Sequence, residues 1–242
     1  EVVDLVSSDT LWTFEVPESV ASMSFVCAQN DSMIFAGGQK GLGLYALDRE
    51  TGEQKWSKAI GSLYGRGIVL DSASAYIHGD SLYCISIKDG STIWSEDISI
   101  QSTPAVDDRY VYVTGGYKVQ VFDKNTGEAV WWRPSSERTT GGITVDDDCF
   151  YTQSNDTIFA YNKESWDVKW IYKSVGDTIQ YGAQNSIAIT DSKLCVIIEG
   201  NGEGNGELHT LNKETGAFLW ASTFSGNYMF APAIANGVVY IV

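Results

Sequence analysis

Six tryptophans recur along this 242-residue chain, at Trp12, Trp56, Trp94, Trp131, Trp170 and Trp220, separated by 44, 38, 37, 39 and 50 residues. A period near forty residues restricts the chain to a repeat architecture. Each repeat is then one supersecondary unit that buries its apolar face only by stacking on a neighbour. A related phrase precedes each indole. The clearest copies are Asp48-Arg-Glu-Thr-Gly52 before Trp56, Asp123-Lys-Asn-Thr-Gly127 before Trp131 and Asn212-Lys-Glu-Thr-Gly216 before Trp220. Weaker copies end at Trp94 and Trp170, and the first keeps little beyond Asp4 and Trp12.

Each phrase reads as two short strands joined by a tight turn. The first half alternates apolar and polar residues, the Asx-to-Gly portion carries turn chemistry, and the second strand holds the Trp. Gly52, Gly90, Gly127 and Gly216 are the residues expected to take positive φ. Further strand pairs lie between the phrases, as in 103–113 and 231–241. Four short strands per repeat are the pattern of a β-propeller blade, and no stretch shows sustained helical periodicity. The N-terminal phrase supplies only the last two strands of a blade and the C-terminal stretch only the first two. The expectation is therefore an all-β propeller of six four-stranded blades, the sixth shared between the two termini, as a single domain over residues 1–242. The alternative is a fragment of a seven- or eight-bladed ring.

Composition narrows the function classes. Acidic residues outnumber basic ones 31 to 16, giving a formal charge of −15. No basic stripe is present to neutralise phosphates, which argues against nucleic acid and anionic membrane surfaces. No run of 18 apolar residues exists, so no transmembrane helix is expected. Cys27, Cys84, Cys149 and Cys195 are widely spaced and lack any CxxC pair, which favours buried thiols over a disulfide framework. The first residue is Glu1 rather than Met, consistent with a removed targeting segment or a trimmed sequence.

The phrase Ala46-x-Asp48-x-x-Thr51-Gly52-x-x-x-Trp56 resembles the tryptophan-docking motif of PQQ-like propeller repeats, and the resemblance covers essentially the whole chain at five or six sites. That family includes the outer-membrane assembly lipoprotein BamB and the quinoprotein alcohol dehydrogenases. The resemblance implies that each Trp packs between blades against the small and turn residues of an adjacent motif. It departs from the pattern at the fifth copy, where Ser165 and Trp166 replace Thr and Gly. The dehydrogenases carry adjacent cysteines in their cofactor site, and none of the four here are adjacent. Their PQQ pocket is therefore not carried over.

Candidate sites are few. Residues entering the innermost strands of the blades converge on a propeller's central opening. Arg66, Thr103, Thr140 and Tyr181, with Ser24 and Phe230, are expected there, and Arg66 could clamp a carboxylate or phosphate. The acidic, glycine-rich stretch with Glu199, Asn201, Glu203, Asn205 and Glu207 places oxygen-bearing side chains at alternate positions, as a Ca²⁺ loop would. A solvated hairpin extension explains the same residues. Asp107-Asp108 and Asp146-Asp147-Asp148 fall at equivalent places between first and second strands, which favours turns over a catalytic carboxylate pair. His78 and His209 are isolated, no GxSxG elbow appears, and Gly41-Leu-Gly-Leu-Tyr-Ala46 matches a dinucleotide fingerprint only formally, with no helix following.

These readings combine into an expectation of a non-catalytic propeller scaffold for protein–protein contact, with no cofactor. The resemblance implies an extracytoplasmic setting and allows a lipid anchor ahead of Glu1. The alternative is a sensor module that binds a ligand or ion at the central mouth, with PQQ-dependent oxidation a more remote reading. Oligomeric state is not legible.

Overall fold

The computed structural model describes residues 2–3, 10–15, 26–37, 43–61, 67–100, 102–115, 117–135, 142–154, 157–174, 187–199, 205–225 and 232–241. Among them every regular element is a strand and every ladder is antiparallel, and no helix is long and apolar enough to cross a membrane. Two compact units are formed: Glu1–Ser99 with Asn125–Gly127, and Ile100–Lys124 with Glu128–Val242.

The first unit opens on a hairpin of β1 (Val2–Val3) and β2 (Thr10–Trp12). A four-stranded meander follows: β3 (Val26–Gln29), β4 (Met33–Gly37), β5 (Gly43–Asp48) and β6 (Gln54–Ala59). A second meander is β7 (Val69–Leu70), β8 (Ser74–His78), β9 (Leu82–Ser86) and β10 (Thr92–Glu96). Phe35, Leu44, Ala46 and Trp56 of one meander pack with Ile68, Ala75, Ile77 and Ile85 of the next, forming a core between the two sheets.

The second unit holds three more meanders. They are β11 (Ala105–Val106) to β14 (Ala129–Pro134) through β12 (Tyr110–Gly115) and β13 (Lys118–Asp123); β15 (Ile143–Val145) to β18 (Val168–Lys173) through β16 (Cys149–Ser154) and β17 (Thr157–Asn162); and β19 (Ile187–Ile189) to β22 (Phe218–Ser225) through β20 (Lys193–Glu199) and β21 (Asn205–Asn212). A last hairpin pairs β23 (Ala233–Ala235) with β24 (Val238–Tyr240). Successive sheets again share cores: Tyr112 and Val121 with Phe150 and Tyr161, Tyr151 and Trp170 with Val196 and Leu211, and Ile197 and Leu208 with Ile234 and Val239.

The expected four-strand repeat is thus present as five complete sheets, with a half-sheet at each end of the chain. The N-terminal half-sheet is β1–β2 and the C-terminal one is β23–β24.

One irregularity recurs in every third-to-fourth strand ladder. The register slips just before the Trp, at Ala46/Leu47, Thr92/Trp94, Val121/Phe122, Ala160/Tyr161 and Thr210/Leu211. The extra residue in the fourth strand is the one preceding the indole (Lys55, Ile93, Val130, Lys169, Leu219), and each is exposed. This bulge re-aims the indole after the turn. It also accounts for Ile93, Val130 and Leu219 being exposed apolar residues.

Candidate binding surface

The turn that precedes each bulge is built by its own side chains. Asp48 Oδ1 accepts from the N–H groups of Glu50 and Thr51, Asn162 Oδ1 from Glu164 and Ser165, and Asn212 Oδ1 from Glu214 and Thr215. The hydroxyls of Thr51, Ser165 and Thr215 accept from the N–H two residues on. The fifth residue closes the turn by donating its N–H to the carbonyl of the first, as in Gly52 to Asp48 and Gly216 to Asn212, both at 2.9 Å. It lies at positive φ: 73° at Gly52, 72° at Gly90, 77° at Gly127 and 70° at Gly216.

Glycine is required there for a second reason, which is the indole of the preceding repeat. A Cβ at Gly52 would come within 2.5 Å of the Trp12 ring, at Gly90 within 2.7 Å of Trp56, at Gly127 within 2.7 Å of Trp94 and at Gly216 within 2.6 Å of Trp170. The indole Nε1–H is satisfied on the same turn. Trp12 donates to the Arg49 carbonyl, Trp56 to that of Ile87 and Trp170 to that of Lys213, at 2.9–3.0 Å. Trp56, Trp94 and Trp170 are only 8–9% exposed.

Trp131 has a different seat, because the fifth position of its turn is Trp166. That residue still adopts φ 63°, and its ring stacks on Trp131 at 5.7 Å and 17°. A non-glycine residue in this region costs about 1 kcal/mol or more, which the aromatic stack offsets. Trp220 has no seat among the described residues and is 43% exposed.

A second recurring cluster, not anticipated as a unit, sits in the turns between first and second strands. Asp71, Asp107 and Asp146 each accept two turn N–H groups on Oδ1. On Oδ2 each accepts the hydroxyl of the tyrosine five residues on: Tyr76, Tyr112 and Tyr151, at 2.8–2.9 Å. In the second unit a lysine from the next repeat's docking turn completes the set. Lys163 pairs with Asp107 and also donates to the Asp146 carbonyl, and Lys213 pairs with the Asp146 carboxylate at 2.9 Å. The acidic runs are therefore turns, and their leading carboxylates tie one sheet to the next.

Electrostatics follow from that geometry. Burial alone would raise the pKa of Asp107, but the Lys163 ammonium, the turn N–H groups and the Tyr112 hydroxyl hold it below the ordinary carboxylate value. Asp146 is lowered in the same way, its burial outweighed by Lys213, by the turn N–H groups and by Tyr151. Burial, reinforced by the neighbouring carboxylates, pushes the phenols of Tyr76, Tyr112 and Tyr151 up and keeps them neutral donors. A cleft of about 370 Å³ lies over two of these turns, lined by Val106, Asp107, Asp108, Arg109, Val145, Asp146, Asp147 and Lys163. Its carboxylates at 107 and 146 are already neutralised, while Asp108, Arg109 and Asp147 are exposed.

The sequence-predicted ligand sites fall largely outside the described residues. Of the channel-mouth set, Arg66, Thr140 and Tyr181 lie outside, and Thr103 is half-buried just ahead of β11. Of the Ca²⁺ candidates, Asn201 and Glu203 lie outside, and only the backbones of Glu199 and Asn205 are described, in β20 and β21. No group of three or more His, Cys, Asp or Glu suited to a metal occurs among the described residues. His209 is not isolated: its Nδ1 meets the Tyr172 hydroxyl and its Nε2 the Glu207 carboxylate, both at 2.8 Å. Cys84, Cys149 and Cys195 are single buried thiols on three different sheets. They do not fit a quinone site that uses neighbouring cysteines.

The family model described as outer membrane protein assembly factor BamB matches residues 12–96 and 78–204, spanning the docking turns from Asp48 to Trp166. The chain belongs to this PQQ-like propeller family. A BamB of Legionella pneumophila is 23% identical over 200 residues, covering 72% of this chain and 49% of that protein. The quinoprotein alcohol dehydrogenase PedH of Pseudomonas putida is 26% identical over 155 residues, covering 57% of this chain and 26% of that enzyme. The crystal structure of BamB from Moraxella catarrhalis superposes with a TM-score of 0.67 at 18% identity, covering 87% of this chain and 67% of that one. The fold is thus a β-propeller, and the chain spans about half the length of the BamB relative it matches in sequence.

Proposed function

We propose that this PQQ-like propeller chain acts without catalysis, as a rigid platform for protein–protein contact in an extracytoplasmic setting, over residues 1–242 as one domain. The observation that carries this reading is what the docking turns do: the side chains of the repeated phrase are consumed in holding one sheet on the next. What they hold out to solvent is the outer strand of each meander. On β14 that strand presents Val130 and Trp132, with Tyr117 exposed at the adjoining hairpin and Lys118 lying 5.3 Å over the Trp132 ring. A fixed outer strand with exposed aromatic anchors suits an extended partner segment that adds along its edge. The name of the BamB relatives, outer membrane protein assembly factor, supports a role beside β-rich envelope proteins.

The test is photo-crosslinking in the producing cell from position 132, compared with position 147 on an exposed turn. One discrete protein adduct specific to position 132 is expected. Identical adducts from both positions would defeat the reading. Incubation of the purified chain with PQQ, Ca²⁺ and a primary alcohol is expected to give no dye reduction; turnover would move the chain to the dehydrogenase side of its family.

A further inference from the structure

The cleft over the β11–β12 and β15–β16 turns holds groups that the fold leaves unused. Lys163, only 8% exposed, bridges the two turns by pairing with Asp107 and donating to the Asp146 carbonyl. An ammonium has three N–H donors, so one remains. The Arg109 guanidinium lies 5.3 Å from the centre of the Tyr110 ring, and its N–H fork has no acceptor among the described residues. The exposed carboxylates of Asp108 and Asp147 likewise make no hydrogen bond or ion pair among them.

The repeat explains the lysine but not the arginine. Arg49, Lys124, Lys163 and Lys213 all stand second in their docking turns. Arg109 stands third in its own turn, where the other complete sheets carry Ser32, Ala73, Asp148 and Ser192. A cation at that place is therefore no requirement of the fold. It gives this cleft two cationic donors and two unpaired carboxylates, together with the side chains of Val106 and Val145. A lone anion entering it meets Asp108, Asp147 and a net charge of −15, and a lone cation meets Arg109 and Lys163. A ligand carrying both signs escapes both penalties. The cleft's volume of about 370 Å³ lies at the small end of the range for small-molecule sites, about 300–1,000 Å³.

We propose that this cleft binds a free α-amino acid with an apolar side chain. The ligand's carboxylate takes the Arg109 fork, which suits it bidentately, and the remaining N–H of Lys163. Its ammonium lies against Asp108 and Asp147, and its side chain covers Val106 and Val145. Bound there, the amino acid ties the turn of one sheet to the turn of the next and stabilises the folded chain by mass action. The site is separate from the outer strands on which the scaffold reading rests.

The probe is L-leucine titrated into the full chain and followed by ¹H–¹⁵N NMR, with 4-methylpentanoate and 3-methylbutylamine as its two halves. Saturable shifts are expected at 106–109, 145–148 and 163, with each half binding at least about tenfold more weakly than leucine, as loss of a charged hydrogen-bond partner does. Arg109→Gln should weaken leucine by about tenfold or more and leave 3-methylbutylamine unchanged. The double variant Asp108→Asn, Asp147→Asn should weaken leucine and leave 4-methylpentanoate unchanged or tighter. These side chains are exposed, so ligand-free melting curves like the parent's are expected for both variants, and the loss is then one of binding. Absence of saturable shifts, or undiminished leucine binding by Arg109→Gln, overturns the proposal. So does either half binding as tightly as leucine, because the cleft would then be a simple amine or a simple anion site. Crosslinking from position 132 does not depend on this cleft, so the two readings fail separately.

Discussion

The same residue type sits in two environments in this chain, buried at Trp56 and 43% exposed at Trp220. Trp56 is 9% exposed, donates to the Ile87 carbonyl and touches Gly90, so its truncation leaves a cavity and an orphaned turn. Trp56→Ala is expected to cost roughly 3–5 kcal/mol in denaturant unfolding, and Trp220→Ala in the same assay under about 1 kcal/mol. Equal losses would mean that Trp220 is docked in solution. Ser174 makes the opposite case. Its hydroxyl is buried with no partner among the described residues. Four residues after the preceding indole, the equivalent Ser135 meets Ser154 of the next sheet at 3.3 Å, but the following sheet carries Ile198 at the position of Ser154. Ser174→Ala removes a desolvated, unpaired group and is expected to stabilise the fold by up to about 1 kcal/mol; a clear loss of stability would reveal a hidden partner.

At the scale of the element, the Asp–Tyr–Lys cluster is a latch written across three segments. Its Asp–Tyr half goes together: Asp71, Asp107 and Asp146 have Tyr76, Tyr112 and Tyr151 five residues on, whereas Asn30 is followed by Phe35 and Thr190 by Cys195. Without the second carboxylate oxygen there is nothing for a phenol to donate to. Because the folded-state pKa values of Asp107 and Asp146 lie below the ordinary 3.8, the folded chain binds fewer protons than the unfolded one in that range. The latch therefore contributes its stability in full above the unfolded value and loses it as pH falls from near 4 through the lower folded values. Asp146→Asn, which ends the pairing with Lys213, is expected to cost roughly 2–3 kcal/mol at pH 7. The deficit should shrink as pH drops below 4, measured as urea unfolding at a series of pH values. A pH-independent deficit would assign the loss to packing.

For the molecule as a whole, a net charge of −15 sets a self-repulsion that the few lysines offset only locally. Raising salt from about 0.01 to about 0.1 M shortens the screening length from about 30 to about 10 Å, which reaches the dispersed surface carboxylates but not the partly buried pairs. The melting temperature is expected to rise over that interval. A fall would mean that attractive pairs dominate the electrostatics. Cys84, Cys149 and Cys195 lie at 1–2% exposure in strands of different sheets, so thiol labelling should follow unfolding of the sheets rather than precede it.

The repeat was legible in the sequence because its period, turn chemistry and indoles are all local. Asx, Thr and Gly at fixed spacing dictate the turn wherever it occurs, and alternation dictates the strands around it. The latch was half legible: the Asp-to-Tyr spacing of five is visible along the chain, but which lysine answers it depends on how one sheet lies against the next. Trp166 at a glycine position read as a departure from the pattern, and only packing reveals that its ring takes over the seat for Trp131. Likewise the sequence could not distinguish Trp220 from its five relatives. The residues that bury an indole sit on the turn of the following repeat, as Gly90 does for Trp56, and the stretch around the Trp does not contain them.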